Sequence, residues 1–392
     1  MKLSKILEIS AFTAALAVAA ACNDAEYSAI ENRIYISEAV EADRSTQQIL
    51  NQLVIGETQI PVHVRLAQPA EEDIRVTLDL APEFIKEYND INGTTYEMLP
   101  AEYLSFEKTA VITKGNLSSD AVVLNVKPYP VGDNPYALAI KLTDTDSCIP
   151  LTEKSSRLLY VFTKPVQQLV PGMDRSHMPT GRDKNWGISA ENWTLEMWIN
   201  MDILGTRAGQ YNNQAIFSNN RSEGSGDEVY IRWGDASIDG DKINGKFFGG
   251  KSEIISTLKF APKTWYHIAF VMENGVVTLY VNGEEDSQAN TNTLMPVGFD
   301  DATFFGSGSY FVSQDAKLAQ VRLWSKALTP NMIKDGMMRE ISPTTSGLEA
   351  YWKMDEGEGN VFHDATPNGR DLQCSKAPAW SDKEVNFYNP NE

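Results

Sequence analysis

Apolar and polar residues alternate along much of this chain with a period of two, the spacing that sets one face of a β-strand on a core. Ile60, Val62, Val64 and Leu66 form the first clear run, and Ile74, Val76, Leu78 and Leu80 the second. Val122, Leu124 and Val126 follow, then Tyr136, Leu138, Ile140 and Leu142, then the apolar stretch 158–162. A weaker alternation covers residues 32–37. Residues 82–88 predict a short helix, followed by an Asn92-Gly93 turn.

The pattern breaks between 165 and 185, where prolines and glycines interrupt it, and resumes in a more aromatic form. Residues 193–200 read Trp-Thr-Leu-Glu-Met-Trp-Ile-Asn. Residues 265–272 are apolar at nearly every position, which predicts a strand covered on both faces. Asn274-Gly275 and Asn282-Gly283 bracket a strand over 276–281, and such pairs mark two-residue hairpins because both turn residues need positive φ. Further strands are expected over 316–324 and 348–354, with a short helix opened by a Thr329 cap and Pro330.

Several short strands separated by turn signals predict an all-β chain. The first set reads as an N-terminal immunoglobulin-like β-sandwich over 53–164. Residues 165–185 read as a linker, and a second sandwich spans 186–385. A length of 392 residues also favours two cores, since one usually stops growing near about 250–300 residues.

The first residues are a targeting segment. Lys2 and Lys5 precede an uncharged stretch over 9–21 that is too short to span a bilayer. Ala19-Ala20-Ala21-Cys22 resembles a bacterial lipoprotein signal, which implies removal of residues 1–21 and lipidation of Cys22. Residues 22–52 then hold the lipidated cysteine, a polar tether and the first strand. The resemblance implies a protein lipid-anchored in the outer membrane, at the cell surface; plain secretion is the other reading. Cys148 and Cys374 fall in different domains, so the disulfide framework of a small secreted domain is absent. A formal charge of −19 repels polyanions and argues against a nucleic-acid partner.

Two family resemblances add to this reading. Val76-Thr77-Leu78-Asp79, Tyr96, Leu99-Pro100-Ala101-Glu102-Tyr103, Ile112-Thr113-Lys114-Gly115 and Tyr136-Ala137-Leu138 resemble an N-terminal domain of unknown function from secreted lipoproteins of glycan-utilisation systems. Some members precede endo-β-N-acetylglucosaminidase catalytic domains. Residues 194–199, 265–269, 276–283, 317–324 and 351–357, with Asp364 and Asn368-Gly369, are similar to the laminin-G/concanavalin A-like domain. That likeness implies a jelly-roll sandwich and a binding role.

Catalytic motifs are missing. No strand carries the Glu-x-Asp-x-x-Glu pattern of sandwich glycosidases, no His-Glu-x-x-His helix appears, and no Gly-x-Ser-x-Gly elbow appears. No catalytic residue is assigned, and the chain is read as a binding protein. Sugar recognition needs a flat aromatic face for the C–H side of a ring and paired donors and acceptors for its hydroxyls. Tyr211, Asn212, Asn213, Asn219, Asn220, Arg221, Arg232 and Trp233 supply that mixture and are the expected carbohydrate site. The competing reading makes Tyr230 and Trp233 core residues and the asparagines turn formers. Residues 306–311 form a second candidate loop. Asp235, Asp239 and Asp241 could hold Ca2+ in an irregular loop, although Lys246 stands where the last glutamate of an EF-hand belongs. The expectation is a surface lipoprotein that binds an oligosaccharide or polysaccharide. The alternatives are a protein-binding adhesin or scaffold beside outer-membrane transporter components, and a divergent glycoside hydrolase.

Overall fold

The computed structural model describes residues 31–39, 49–53, 57–92, 94–129, 136–163, 166–183, 185–221, 225–306, 315–387 and 389–391. The signal segment 1–21, Cys22 and the candidate loop beyond Gly306 lie outside the described residues.

The N-terminal domain packs a sheet ordered Ile49–Leu53, Arg157–Thr163, Tyr136–Thr145, Ile74–Leu80, Thr109–Ile112 against a smaller one made of Thr58–Val62, Val122–Val126 and Leu104–Ser105. The alternating residues Ile60, Val62, Ile74, Val76, Leu78, Leu124, Leu138 and Ile140 meet between them in one core. Two pairings are parallel: Arg157–Thr163 with Ile49–Leu53, and Tyr136–Thr145 with Glu97–Met98. Helix α1 (Pro82–Asn92) covers the other face of the larger sheet. There Phe84, Ile85 and Tyr88 pack on Ala137, Ala139, Leu159 and Val161. The small alanines alternate with large core residues on Tyr136–Thr145, so that strand is buried on both sides.

The C-terminal domain is two eight-stranded sheets face to face. The back sheet runs Glu284–Asn290, Val276–Val281, Trp265–Glu273, Trp193–Asn200, Ala316–Trp324, Pro171–Met173, Ala379–Trp380, with Leu348–Trp352 also paired to Ala316–Trp324. The front sheet runs Ser252–Ile255, Ile238–Phe247, Val229–Asp235, Gln214–Ser218, Thr303–Phe304, Thr180–Gly181, Leu372–Gln373, Val361–Phe362. One aromatic-rich core, including Trp193, Phe217, Trp233, Phe247, Phe270, Phe304 and Trp352, fills the space between. Asn274, Gly275, Asn282 and Gly283 all adopt positive φ, as the hairpin reading requires. Thr329 accepts a hydrogen bond from the Met332 amide at 3.3 Å and caps helix α2 (Pro330–Gly336).

The segment 165–185 is not a linker. It supplies Pro171–Met173 and Thr180–Gly181, one strand to each sheet of the second sandwich, and Gln167–Gln168, which pairs with Val385–Asn386 in a small separate sheet. Strands of two or three residues are too short to display an alternation, and Pro and Gly mask them further. Gly172 is there because its strand is squeezed: a Cβ would lie 2.4 Å from the Asp315 carboxylate and 3.3 Å from the Ala379 carbonyl. Cys148 is exposed, Cys374 is buried, and neither forms a disulfide.

Candidate functional site

Strand alternation sorts the front sheet into two faces. Val229, Ile231, Trp233, Ile243 and Phe247 point into the core. Their neighbours point outward and pair across strands: Ser218 with Tyr230, Tyr230 with Lys246, Arg232 with Asn244, Lys246 with Glu253 and Asn244 with Ile255. These side chains form a fixed network. Asn213 Oδ1 accepts from the Tyr230 hydroxyl at 2.9 Å and from Arg232 Nη1 at 2.9 Å. Arg232 Nε donates to Asn244 Oδ1 at 3.1 Å, and Asn244 Nδ2 donates to Glu253 at 2.7 Å. Asp235 accepts from Arg232 and, at 3.3 Å, from Lys246. The Arg232 guanidinium lies 5.3 Å from the centre of the Tyr230 ring.

The result is a layered surface. Arg232 and Asn244, 7% and 0% exposed, form a rigid polar floor. Tyr230, Asp235 and Lys246 are half-buried above it, and Glu253 and Ile255 stand exposed at its edge. Burial tends to raise the Asp235 carboxyl, but the Ala236 amide, Arg232 and Lys246 outweigh it and hold it below the ordinary range. The loop carrying Tyr211 is pinned by Gln214, whose side-chain amide donates to the Ile203 and Tyr211 carbonyls at 3.0 and 3.1 Å. It also presses on the next strand at Gly240, where a Cβ would lie 2.1 Å from the Gln210 carbonyl.

Of the residues expected from sequence, Asn213 and Arg232 fall at this face, while Tyr211 is exposed and Asn212 half-buried on the adjoining loop. Trp233 does not: it is 1% exposed and packs edge-on against Phe260 at 4.8 Å. Asn219 to Arg221 lie at the other end of Gln214–Ser218, and five strand residues separate the two clusters by roughly 17 Å. Asn219 is 2% exposed and is a structural staple, donating to the Asp227 and Gly298 carbonyls and accepting from the Val229 amide. Asn220 takes a positive φ of 52° and donates to Thr303. Arg221 pairs with Asp227 and Asp300, each at 2.9 Å. The expected single cluster is therefore two, and turn chemistry accounts for the second.

The three aspartates do not converge as a calcium site either. Asp235 joins the outward network, whereas Asp239 is paired with Lys259 at 2.6 Å and Asp241 is buried. Among the described residues no cluster of three or more His, Cys, Asp or Glu side chains could hold a metal ion.

Asn244, Lys246, Glu253 and Ile255 were not anticipated. For Asn244 and Lys246 the signal was the even-numbered polar set opposite the odd-numbered apolar one on 229–233 and 243–247; Glu253 and Ile255 take their face from pairing with them.

A cleft of about 40 Å³ between the domains, lined by Thr94, Thr95, Trp324, Leu328, Met332 and Ile341, holds no more than a few waters. A groove of about 570 Å³ runs beside Thr109–Ile112 of the N-terminal domain, with Phe106 its one aromatic wall. Neither gathers aromatic and hydrogen-bonding side chains as the front sheet does.

Residues 176–334 match the family profile of the concanavalin A-like lectin/glucanases superfamily, laminin G type, and residues 30–149 match a separate N-terminal domain family. No curated protein matches the sequence. Among solved structures, the chain is similar to a candidate carbohydrate binding protein from Bacteroides ovatus, with 22% identity, a TM-score of 0.50, and coverage of 91% of this chain and 99% of that one. It also aligns with a two-domain protein of unknown function from Bacteroides fragilis, at 14% identity and a TM-score of 0.28, covering 70% of this chain and 94% of that one. A third alignment is to EndoBT-3987 of Bacteroides thetaiotamicron with a Man5GlcNAc product, at 13% identity and a TM-score of 0.26, covering 33% of this chain and 30% of that one. The chain thus carries a laminin-G/concanavalin A-like domain, matched over residues 176–334, behind an N-terminal β domain matched over residues 30–149.

Proposed function

We propose that the protein binds glycan without cleaving it, through the outward face of the front sheet, as a lipid-anchored protein of the outer-membrane surface. The observation that carries this reading is the Tyr230 ring held beside a network of Asn213, Arg232, Asp235, Asn244, Lys246 and Glu253. An aromatic face with fixed donors and acceptors is what a sugar ring requires. Side chains already ordered before binding lose little further entropy on contact. The lectin-like fold and the likeness to a candidate carbohydrate binding protein support the same ligand class.

The carboxylates on this face support a non-catalytic role. Glycoside hydrolysis needs one carboxylic acid with a raised pKa to protonate the leaving group. Asp235 is pushed the other way by its cations, and Glu253 is exposed and tied to Asn244. The anchor rests on Cys22 and its preceding alanines, and attachment is tested by metabolic labelling with a fatty-acid analogue, which Cys22→Ala should abolish. Binding is tested by screening the full chain on immobilised plant, fungal and host glycans. Retention of one glycan class with no released product is the expected result. Absence of retention on all three, or release of shorter oligosaccharides, contradicts it.

A further inference from the structure

One aromatic side chain reaches from the N-terminal domain into the C-terminal one. Tyr96 leaves the N-terminal domain, is 4% exposed, and donates its hydroxyl to the carboxylate of Asp335 on α2. Arg339 closes the site from the other side. Its Nη2 donates to Asp335 at 2.8 Å, and its guanidinium lies 5.1 Å from the centre of the Tyr96 ring. Asp335 and Arg339 are 2% and 8% exposed, so phenol, carboxylate and guanidinium share a dry site that neither domain completes alone.

Both halves are braced from behind. On the N-terminal side, Asn89 of α1 clamps the loop, donating to the Tyr96 carbonyl at 2.8 Å and accepting from the Tyr96 amide at 3.0 Å and the Thr94 hydroxyl at 2.7 Å. On the C-terminal side, Arg322 of the back sheet donates to the carbonyls of Gly336 and Arg339 at 2.9 and 2.8 Å. A continuous set of polar contacts therefore runs from the back sheet through α2 to α1.

We infer that Tyr96 is the key of an interdomain lock that makes the two sandwiches one rigid unit and gives the back-sheet side of the C-terminal domain to the N-terminal domain. The lock does not depend on the glycan reading. Joined to it, the lock fixes the direction of the site. The N-terminal domain occupies the side of α2 and the back sheet, and the Tyr230 face lies across the core on the opposite side. A large ligand then has access to the front sheet without competing with the domain that leads to the N-terminus.

The sequence supplies a probe for this. All eight tryptophans lie between Trp186 and Trp380, so tryptophan fluorescence reports the C-terminal domain alone, whereas far-ultraviolet circular dichroism reports both. In urea, the natural protein should give coincident transitions by the two probes, the signature of a single cooperative unit. Tyr96→Ala should separate them, with the dichroism showing a second step that fluorescence does not. Because Tyr96→Ala could damage its own domain, Asp335→Asn is the partner test from the other side, and it should produce the same separation. The double variant should add little to either single one, as expected of residues acting through one contact. Separate transitions in the natural protein, coincidence retained in Tyr96→Ala, or separation in Tyr96→Ala without separation in Asp335→Asn would each overturn the inference.

Discussion

Glu196→Ala is expected to destabilise the C-terminal sandwich by about 3–5 kcal/mol, the usual cost of stripping one partner from a buried charge pair. Glu196 sits on Trp193–Asn200 in the back sheet and is 1% exposed. Its Oε1 accepts from Trp324 Nε1 at 3.0 Å and from Arg322 Nη1 at 3.4 Å, and His267 Nε2 lies 3.4 Å from Oε2. Without the carboxylate, Arg322 would keep only the neutral acceptors Gly336 O, Arg339 O and Gln320 Oε1 for a fully buried charge. The midpoint and slope of tryptophan-monitored urea unfolding would measure the loss. A change under 1 kcal/mol would mean that the charge is not truly sequestered.

The same cluster sets a pH dependence. Burial opposes ionisation of Glu196, but His267, Arg322 and Trp324 outweigh it and hold its carboxyl below the ordinary 4.5. Burial is also the main influence on His267, and it pushes the imidazole below the ordinary 6.5 despite Glu196. Both folded-state values are depressed, so in both cases the unfolded chain takes up protons first as pH falls. Stability should therefore be full above about 6.5, decline below it through His267, and decline again below about 4.5 through Glu196. His267→Leu should flatten the first decline and leave the second. Urea midpoints that do not change between pH 7.5 and 5.5 would contradict this assignment.

Trp233→Ala should cost about 3–5 kcal/mol as well, for a different reason. Its indole fills the sandwich core against Phe260, which in turn meets Tyr266 edge-on at 4.8 Å. Truncation leaves a cavity that rigid strands on both sides cannot close. Tyr211→Ala is the informative comparison. At 46% exposure on a loop tip, Tyr211 should change stability by no more than about 0.5 kcal/mol. Thermal unfolding of the two variants separates a core tryptophan from an exposed loop tyrosine. Equal effects would refute the placement of both.

These two residues also show what the sequence could and could not reveal. Long strands were legible because each carries an extended apolar and aromatic run: Trp193–Asn200, Trp265–Glu273 and Ala316–Trp324 all form where expected. The two Asn-Gly turns and the Thr329 cap were legible because their chemistry is local. The strands hidden in 165–185 were not, being too short to show a period. Within 229–235 the alternation was present, but aromatics lie on both sides of it, Tyr230 outward and Trp233 inward. One residue of phase decides which is the core. Asn219 and Asn220 misled for a related reason, since an amide that staples a turn and an amide that binds a hydroxyl are the same residue type. Tyr96 was visible only as part of a family motif, because its partners Asp335 and Arg339 are more than two hundred residues away.

The central claim is that the outward face of the front sheet holds the glycan. Its most direct test is calorimetric titration of the best-retained glycan into the natural protein and into Tyr230→Ala. Loss of an aromatic anchor should weaken binding by about tenfold or more, at least about 1.4 kcal/mol. Affinity unchanged within about twofold in a folded Tyr230→Ala variant would place the ligand elsewhere and contradict the account.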